Sequence, residues 1–313
     1  MSHTPASVVV EAPAKINLTL EILDEREDRY HNLRSILAPV SLFDTVRATL
    51  AEDGQIVCET RAAGVDAAEL LKLPPERHLA VRAARVLREA AGLPDAGVQF
   101  EIIKRIPIGA GMGGGSADAA GALVALNALW GLGWSTRRLA EIGAQVGCDV
   151  PGMVLGGAVS AEGIGERVER LAPEGGPSTT PFWLVAAFPG IAISTRAVFE
   201  ACGSCLTGAP DSFHSMRLFV RNGDVRGASR WLFNGLQKTV FELYPETERF
   251  YLALRDAGAL SSLLSGSGSA VFGLAEDRGH AERIRDRLGA DKWSRVLQTL
   301  PDGVMAAHGP LTP

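Results

Sequence analysis

Between Gly109 and Ser116 the chain places five glycines in eight positions, Gly109-Ala110-Gly111-Met112-Gly113-Gly114-Gly115-Ser116. Glycine lets a backbone come close to an anion and turn its N–H groups toward it, and a helix that begins there adds the positive end of its dipole. The chemistry this suits is the cradling of phosphate. No Lys-Ser or Lys-Thr pair follows the last glycine, so the run is not the common P-loop, and its spacing is not that of a dinucleotide-binding fingerprint. Ser116 instead offers a hydroxyl to a phosphate oxygen or a magnesium ion. The competing explanation is a plain surface turn with Ser116 as its N-cap. Against it, each glycine weakens such a loop by roughly 0.5 to 1 kcal/mol where alanine would fit.

Two more residues could complete a phosphoryl-transfer site. Asp149, in Gly147-Cys148-Asp149-Val150-Pro151, can accept the proton of an attacking hydroxyl, and Lys15, in Pro13-Ala14-Lys15-Ile16-Asn17-Leu18, can offset charge on the moving phosphoryl group. Taken singly each has an ordinary structural explanation, Asp149 as a turn residue at a helix end and Lys15 as a solvated strand residue. Their arrangement around the glycine loop gives them weight.

The elements that must position these groups follow from periodicity. From Val8 to Leu23, Ile16, Leu18, Leu20 and Ile22 alternate with Lys15, Asn17, Thr19 and Glu21, which predicts a half-buried strand with Lys15 and Asn17 on one face. Pro13 suits the start or edge of that strand. A second strand is expected over Asp44 to Ala51, a helix over His78 to Ala91, and a strand over Val98 to Ile106 leading into the glycines. The helix after them runs from about Ser116 to Trp130. Thr136 reads as the N-cap of another helix that stops at Gly147, placing Asp149 at a helix-to-loop junction. Further strands are expected at Ala158 to Ala161 and Phe182 to Phe188, with helices at Thr195 to Ala201, Ser215 to Asn222 and Glu246 to Ala257. Ser261 to Gly273 reads as a strand pair broken by glycines and Ala275 to Leu288 as a last helix. No repeat or low-complexity segment interrupts this order.

The chain has 313 residues, 46% hydrophobic and 21% charged, enough for a sizeable core and for two domains that share a cleft. A net charge of -5 argues against a nucleic-acid surface. Cys58, Cys148, Cys202 and Cys205 are too few and too scattered for a disulfide framework, and Cys202-Gly203-Ser204-Cys205 lacks the βαβ setting of a redox motif. With no secretory signal pattern in Met1 to Ser7 and no long apolar run, a cytoplasmic protein is expected.

Pro13 to Leu18, Pro107 to Ala120 and Leu264-Ser265-Gly266-Ser267-Gly268-Ser269-Ala270-Val271-Phe272 together resemble the family of small-molecule kinases for galactose, homoserine, mevalonate and phosphomevalonate. These stretches span nearly the whole chain. Tyr30-His31, Gly147 to Pro151 and Ala161-Glu162-Gly163-Ile164-Gly165-Glu166 resemble the branch of that family whose substrate is 4-diphosphocytidyl-2-C-methyl-D-erythritol. The resemblance implies an α+β fold of two domains with a cleft between them: 1–160 for ATP binding and catalysis, 161–313 for substrate binding. It implies direct transfer from MgATP to the C2 hydroxyl of the methylerythritol moiety, giving the 2-phosphate and ADP, in non-mevalonate isoprenoid synthesis.

Carried over position by position, Lys15 and Asp149 match the catalytic pair. Pro107, Ile108, Gly109, Ala110, Gly111, Met112, Gly113, Gly114, Gly115, Ser116 and Ala117 match the ATP loop, with Ser116 as the candidate ligand of Mg2+, and Gly266 to Ser269 match a supporting glycine turn. Tyr30 and His31 match residues that hold the cytosine ring by stacking and hydrogen bonding, and an aromatic platform for a base is worth about 1 to 3 kcal/mol. Asn17, Ile164, Thr195 and Phe199 match further substrate contacts. The implied partner is that small molecule, with no nucleic acid and no membrane, and the chain acts as a monomer or homodimer. Two positions depart from the family pattern: Arg77-His78-Leu79 stands where an asparagine touching adenine is usual, and Arg29 replaces a glycine before Tyr30.

Overall fold

Ile16, Leu18, Leu20 and Ile22 are buried, as their alternation predicts, but so are Lys15, Asn17, Thr19 and Glu21. The first strand, β1 (Ser7–Glu25), is therefore covered on both faces rather than half-exposed. Ile16 and Leu18 belong to one hydrophobic core and Leu20 and Ile22 to a second, so this strand stitches the two together. The computed structural model describes residues 6–28, 30–52, 54–66, 74–172, 180–202, 211–289, 292–300 and 307–308. Arg29 and Cys205 lie outside them.

β2 (His31–Ala51) runs antiparallel to β1 along nearly its whole length. It is far longer than Asp44 to Ala51; Pro39 in its middle, opposite Lys15, hid the continuity of the pattern. Pro13, expected near an edge, sits inside β1, where a register shift between Pro13 and Ala14 removes the need for its missing N–H. β3 (Ile56–Ala62) and β4 (Gly97–Lys104) extend the sheet beyond β2, while β5 (Val159–Gly163) and β6 (Arg167–Arg170) branch from the other half of β2. A domain border at residue 160 would fall inside β5, whose pairing with β2 and β6 runs across it.

The helix α1 (Leu79–Ala90) packs on α2 (Gly114–Leu129), and α2 packs on β1 and β2. Ala117, Ala119, Ala120, Ala122, Leu123, Ala125 and Leu126 are all buried, so α2 is a core helix rather than an amphipathic one. Its small residues permit close approach: a Cβ on Gly121 would lie 3.1 Å from Val46 Cγ2 and 3.3 Å from Ala12 Cβ. Burying a leucine such as Leu126 contributes about 1.5 to 3 kcal/mol. α3 (Thr136–Gly143) is capped by Ser135, whose Oγ accepts from Arg138 N at 3.3 Å, so Thr136 is the first helical residue rather than the cap. It ends before Gly147, and α4 (Val150–Leu155) follows.

The second sheet, of β7 (Trp183–Phe188), β9 (Ser261–Leu264), β10 (Val271–Ala275) and β11 (Trp293–Gln298), has the order β11-β7-β10-β9. The helices α5 (Thr195–Cys202), α6 (Ser212–Asn222), α7 (Val225–Ser229), α8 (Gln237–Leu243), α9 (Pro245–Asp256) and α10 (Arg278–Leu288) accompany it. α10 begins three residues later than expected, because Ala275 ends β10 and Asp277 caps the helix by accepting from His280 N at 2.7 Å. β8 (Phe233–Asn234) and β12 (Ala307–His308) return to the first sheet and pair with β1. α4, α7, α8, β3, β6, β8, β11 and β12 were not anticipated; short elements carry too few periods to read. Among the described residues no helix is long and apolar enough to cross a membrane.

Candidate active site

Lys15 leaves β1 between two register shifts, one at Pro13/Ala14 and one between Asn17 and Thr19. Its side chain is 6% exposed. The ammonium nitrogen donates to Asn17 Oδ1 at 2.6 Å and lies 3.6 Å from Asp149 Oδ2. Asp149 stands at the N-cap position of α4, not at the end of the preceding helix as expected, yet its side chain makes no capping bond. The carboxylate is thus left to the cleft, about one-third exposed, at the positive end of a short helix.

The glycine run is held from four sides. Ile193 N donates to Gly109 O at 2.9 Å, Ala270 N to Ala110 O at 3.0 Å, Ser265 Oγ to Gly111 O at 3.1 Å and Lys15 N to Met112 O at 2.9 Å. Four successive carbonyls are occupied, whereas the N–H groups of Gly109, Gly111 and Gly113 have no partner among the described residues. What the loop presents to a ligand is therefore donors, the preference of a phosphate. Gly111 and Gly113 have φ of 72° and 71°, in the left-handed region where glycine is favoured. Gly113 caps α2, whose first turn holds Gly114, Gly115 and Ser116 and no acidic residue. Ala117, expected in the loop, is the fourth residue of the helix, buried, and does not line the cleft.

Beneath the loop lies a charged group that sequence reasoning missed. Lys104 is almost completely buried and donates to Asp44 and, at 2.6 Å, to Asp118 Oδ2; Asp44 Oδ1 also accepts from Ile106 N at 2.9 Å. Burial pushes the Asp118 carboxyl up to about 7, against the pull of Lys104, and Asp44 on the same ammonium adds to the rise. Burial works to lower Lys104, but the two carboxylates more than reverse it and hold its proton. The legible signal was a lysine at the end of an alternating strand, on the face of its buried residues Val98, Phe100 and Ile102. His78, just before α1, is held below its ordinary value by burial and by the Lys104 ammonium.

One cleft of about 1280 Å³ joins these groups to the rest of the expected site. Lys15, Asn17, Tyr30, His31, Pro107 to Ser116, Asp149, Ile164, Thr195 and Phe199 all line it. At the tip of the β1–β2 hairpin His31 is nearly buried, its ring centroid 5.3 Å from that of Phe199 on α5, while Tyr30 is 57% exposed. Ile164 N donates to Glu166 Oε2 at 2.7 Å, fixing the turn after β5. The Thr195 and Ser267 hydroxyls are 2.8 Å apart. Asn234, another residue the sequence did not single out, holds the glycine turn through Nδ2 bonds to Leu264 O at 2.9 Å and Gly266 O at 2.8 Å. Cys148 also lines the cleft, its thiol pushed up by burial and by the neighbouring carboxylates of Asp149 and Glu166.

The arrangement can therefore hold a polyphosphate at one end and a flat ring at the other, with an acid–base residue and a cation between. Residues 78–158 match the family described as GHMP kinases N terminal domain, and residues 215–295 that described as GHMP kinases C terminal. A 4-diphosphocytidyl-2-C-methyl-D-erythritol kinase of Symbiobacterium thermophilum is 38% identical over 295 residues, covering 93% of this chain and 99% of its own. One from Exiguobacterium sibiricum is 37% identical over 282 residues, 90% and 94% of the two chains. A crystal structure of 4-(cytidine 5'-diphospho)-2C-methyl-D-erythritol kinase superposes with a TM-score of 0.72 at 34% identity, covering 93% of this chain and 98% of that one. A homoserine kinase from Cytophaga hutchinsonii shares the fold, with a TM-score of 0.74 at 17% identity over 97% and 98% of the chains.

Proposed function

The chain belongs to the GHMP kinase family, in the branch of its 4-diphosphocytidyl-2-C-methyl-D-erythritol kinase relatives, and on that premise we propose that it moves the γ-phosphoryl group of ATP to the C2 hydroxyl of 4-diphosphocytidyl-2-C-methyl-D-erythritol. The products are ADP and the 2-phosphate, an intermediate of non-mevalonate isoprenoid synthesis. The observation that carries this reading is the meeting of Lys15 and Asp149 beside the glycine loop, with the His31–Phe199 ring pair lining the same cleft.

Phosphoryl transfer requires position and charge compensation more than covalent chemistry. In this reading the N–H groups of the glycine loop and the start of α2 bind the ATP phosphates. Asp149 accepts the proton of the C2 hydroxyl as the new P–O bond forms, and the Lys15 ammonium offsets the charge gathering on the transferred group. Tyr30, His31 and Phe199 hold the cytosine, while Asn17, Ile164 and Thr195 contact the remainder of the substrate. Among the described residues no three His, Cys, Asp or Glu side chains cluster as a metal site. Magnesium would be carried mainly by phosphate and water, with the Ser116 hydroxyl as its protein ligand. Such an ion, when bound, neutralises phosphate charge.

The first part of the chain, 1–160, carries Lys15, Asp149 and the loop, and the second, 161–313, carries Ile164, Thr195 and Phe199. A cytoplasmic location, where ATP is the phosphoryl donor, belongs to the same proposal. The test is ADP release coupled to a recording enzyme, with the cytidine substrate, homoserine and mevalonate compared side by side. Turnover is expected with the first alone, together with a new phosphomonoester resonance in the 31P spectrum. Turnover confined to homoserine or mevalonate, or none at all, would reject the proposal.

A further inference from the structure

Lys15 is held by more than its partner across the cleft. An ammonium group only donates, so the Asn17 atom that faces it at 2.6 Å has to be the amide oxygen. The amide nitrogen is thereby committed to the other side, where it donates to Ser35 Oγ at 2.9 Å. Ser35 has a single proton, which goes to the Thr19 carbonyl at 2.5 Å, so its oxygen can only accept from Asn17. A reversed amide would set nitrogen against ammonium and oxygen against a lone pair. Lys15, Asn17, Thr19 and Ser35 are all buried, so solvent does little to relieve such a mismatch.

The backbone makes the arrangement possible. Asn17 pairs with Leu37 but Thr19 pairs with Ile36, so one extra residue is accommodated in β1 between them. At that irregularity Ile36 N donates to Thr19 Oγ1 at 3.0 Å, and the Thr19 carbonyl takes the Ser35 hydroxyl. The bulge thus turns the Asn17 amide and the Ser35 hydroxyl toward each other.

We infer that Ser35 is a positioning residue for phosphoryl transfer, which fixes the orientation of the Asn17 amide and, through it, holds the Lys15 ammonium beside Asp149. As a statement about catalysis this rests on the proposed kinase reaction; as a statement about Asn17 it does not.

The test is a cycle of wild type, Ser35→Ala, Asn17→Ala and the double variant, followed by steady-state kinetics and by side-chain amide 15N relaxation of Asn17. Ser35→Ala is expected to lower kcat about tenfold or more while KM for ATP stays within about twofold, and to change kcat by less than about twofold once Asn17 is alanine. A residue that merely fills space in the bulge would lose the same factor in both backgrounds, and that result overturns the inference, as does an unchanged kcat in Ser35→Ala alone. The relaxation measurement stands apart from turnover: the Asn17 amide should pass from rigid to mobile in Ser35→Ala. An amide equally rigid in both proteins overturns the inference even if the wild type proves active. Loosening of the amide in a protein that turns over none of the substrates would instead place the error in the kinase reading.

Discussion

Gly111 and Ser265 are seated directly against each other: a Cβ on Gly111 would stand 2.0 Å from the Ser265 carbonyl oxygen, and Ser265 Oγ donates back to the Gly111 carbonyl at 3.1 Å. The glycine loop of the first half and the glycine turn of the second therefore behave as one unit. Gly111→Ala adds this overlap to a φ of 72°, so ATP binding should be lost together with several kcal/mol of stability, at least about 3. Gly131→Ala is the control. Its φ is 64° but nothing lies within 4 Å of the added carbon, so only about 1 to 2 kcal/mol of strain follows and ATP titration by calorimetry should match wild type. Equal losses in the two variants would refute the seating.

Asp149→Asn keeps the shape of the side chain and removes its ability to take a proton. Its kcat should fall by about 10² to 10⁴, with ATP affinity little changed because the loop does not depend on it. Single-turnover kinetics separates the two; a variant with normal kcat would remove Asp149 from the chemistry.

Tyr30→Ala should weaken binding of the cytidine substrate by about 1 to 3 kcal/mol and leave KM for ATP unaltered. The exposed position of Tyr30 makes this a binding effect rather than a folding one, so the melting temperature should hold. A rise in KM for ATP of the same size would move the tyrosine away from the base.

Asn234→Ala strips the turn of two amide donors and leaves Leu236 N, which donates to Asn234 Oδ1 at 2.9 Å, without its acceptor. Buried groups left unmatched cost about 1 to 3 kcal/mol each. A loss of about 2 to 4 kcal/mol in urea unfolding is expected, along with lower kcat, since Gly266 is close to Lys15. Normal stability would mean that the turn needs no such support.

His78→Asn bears on pH. Burial, then the Lys104 ammonium, holds the imidazole below its ordinary value of 6.5, so the unfolded chain binds that proton more readily than the folded one. The stabilisation is present above the ordinary value and is lost as the pH falls through the folded value. Denaturation measured from about pH 7.5 down to about pH 5 should show a shallower decline in His78→Asn than in wild type. Asparagine should also cap α1, where His78 makes no capping bond, adding about 0.5 to 1 kcal/mol. Parallel curves would show that His78 does not report on acidification.

The parts of the site that were readable in the sequence are those whose residue type is itself the mechanism: glycines for a donor-lined loop, a carboxylate after Gly147-Cys148, a lysine on an alternating strand. Position by position, the resemblance placed Tyr30, His31, Thr195 and Phe199, and they do share one cleft. What stayed hidden depends on contacts distant in sequence. Asp44, Lys104 and Asp118 meet only after three separate elements pack, and nothing local to Asn234 or Ser35 announces the bonds they make. Burial of both faces of β1 was hidden for the same reason, because alternation reports one covering layer and the second comes from elsewhere in the chain.

Synthesis proceeds from the N-terminus, and the order of the parts matters to a cell. Lys15, the glycine loop and Asp149 emerge before the turn that locks the loop, Ser265 to Ala270, and β12 pairs with Val9 and Val10 later still. A chain that stops short of that turn therefore carries Lys15, the glycine loop and Asp149 without the frame that holds them. Competence to use ATP should therefore arrive with that turn and not by degrees.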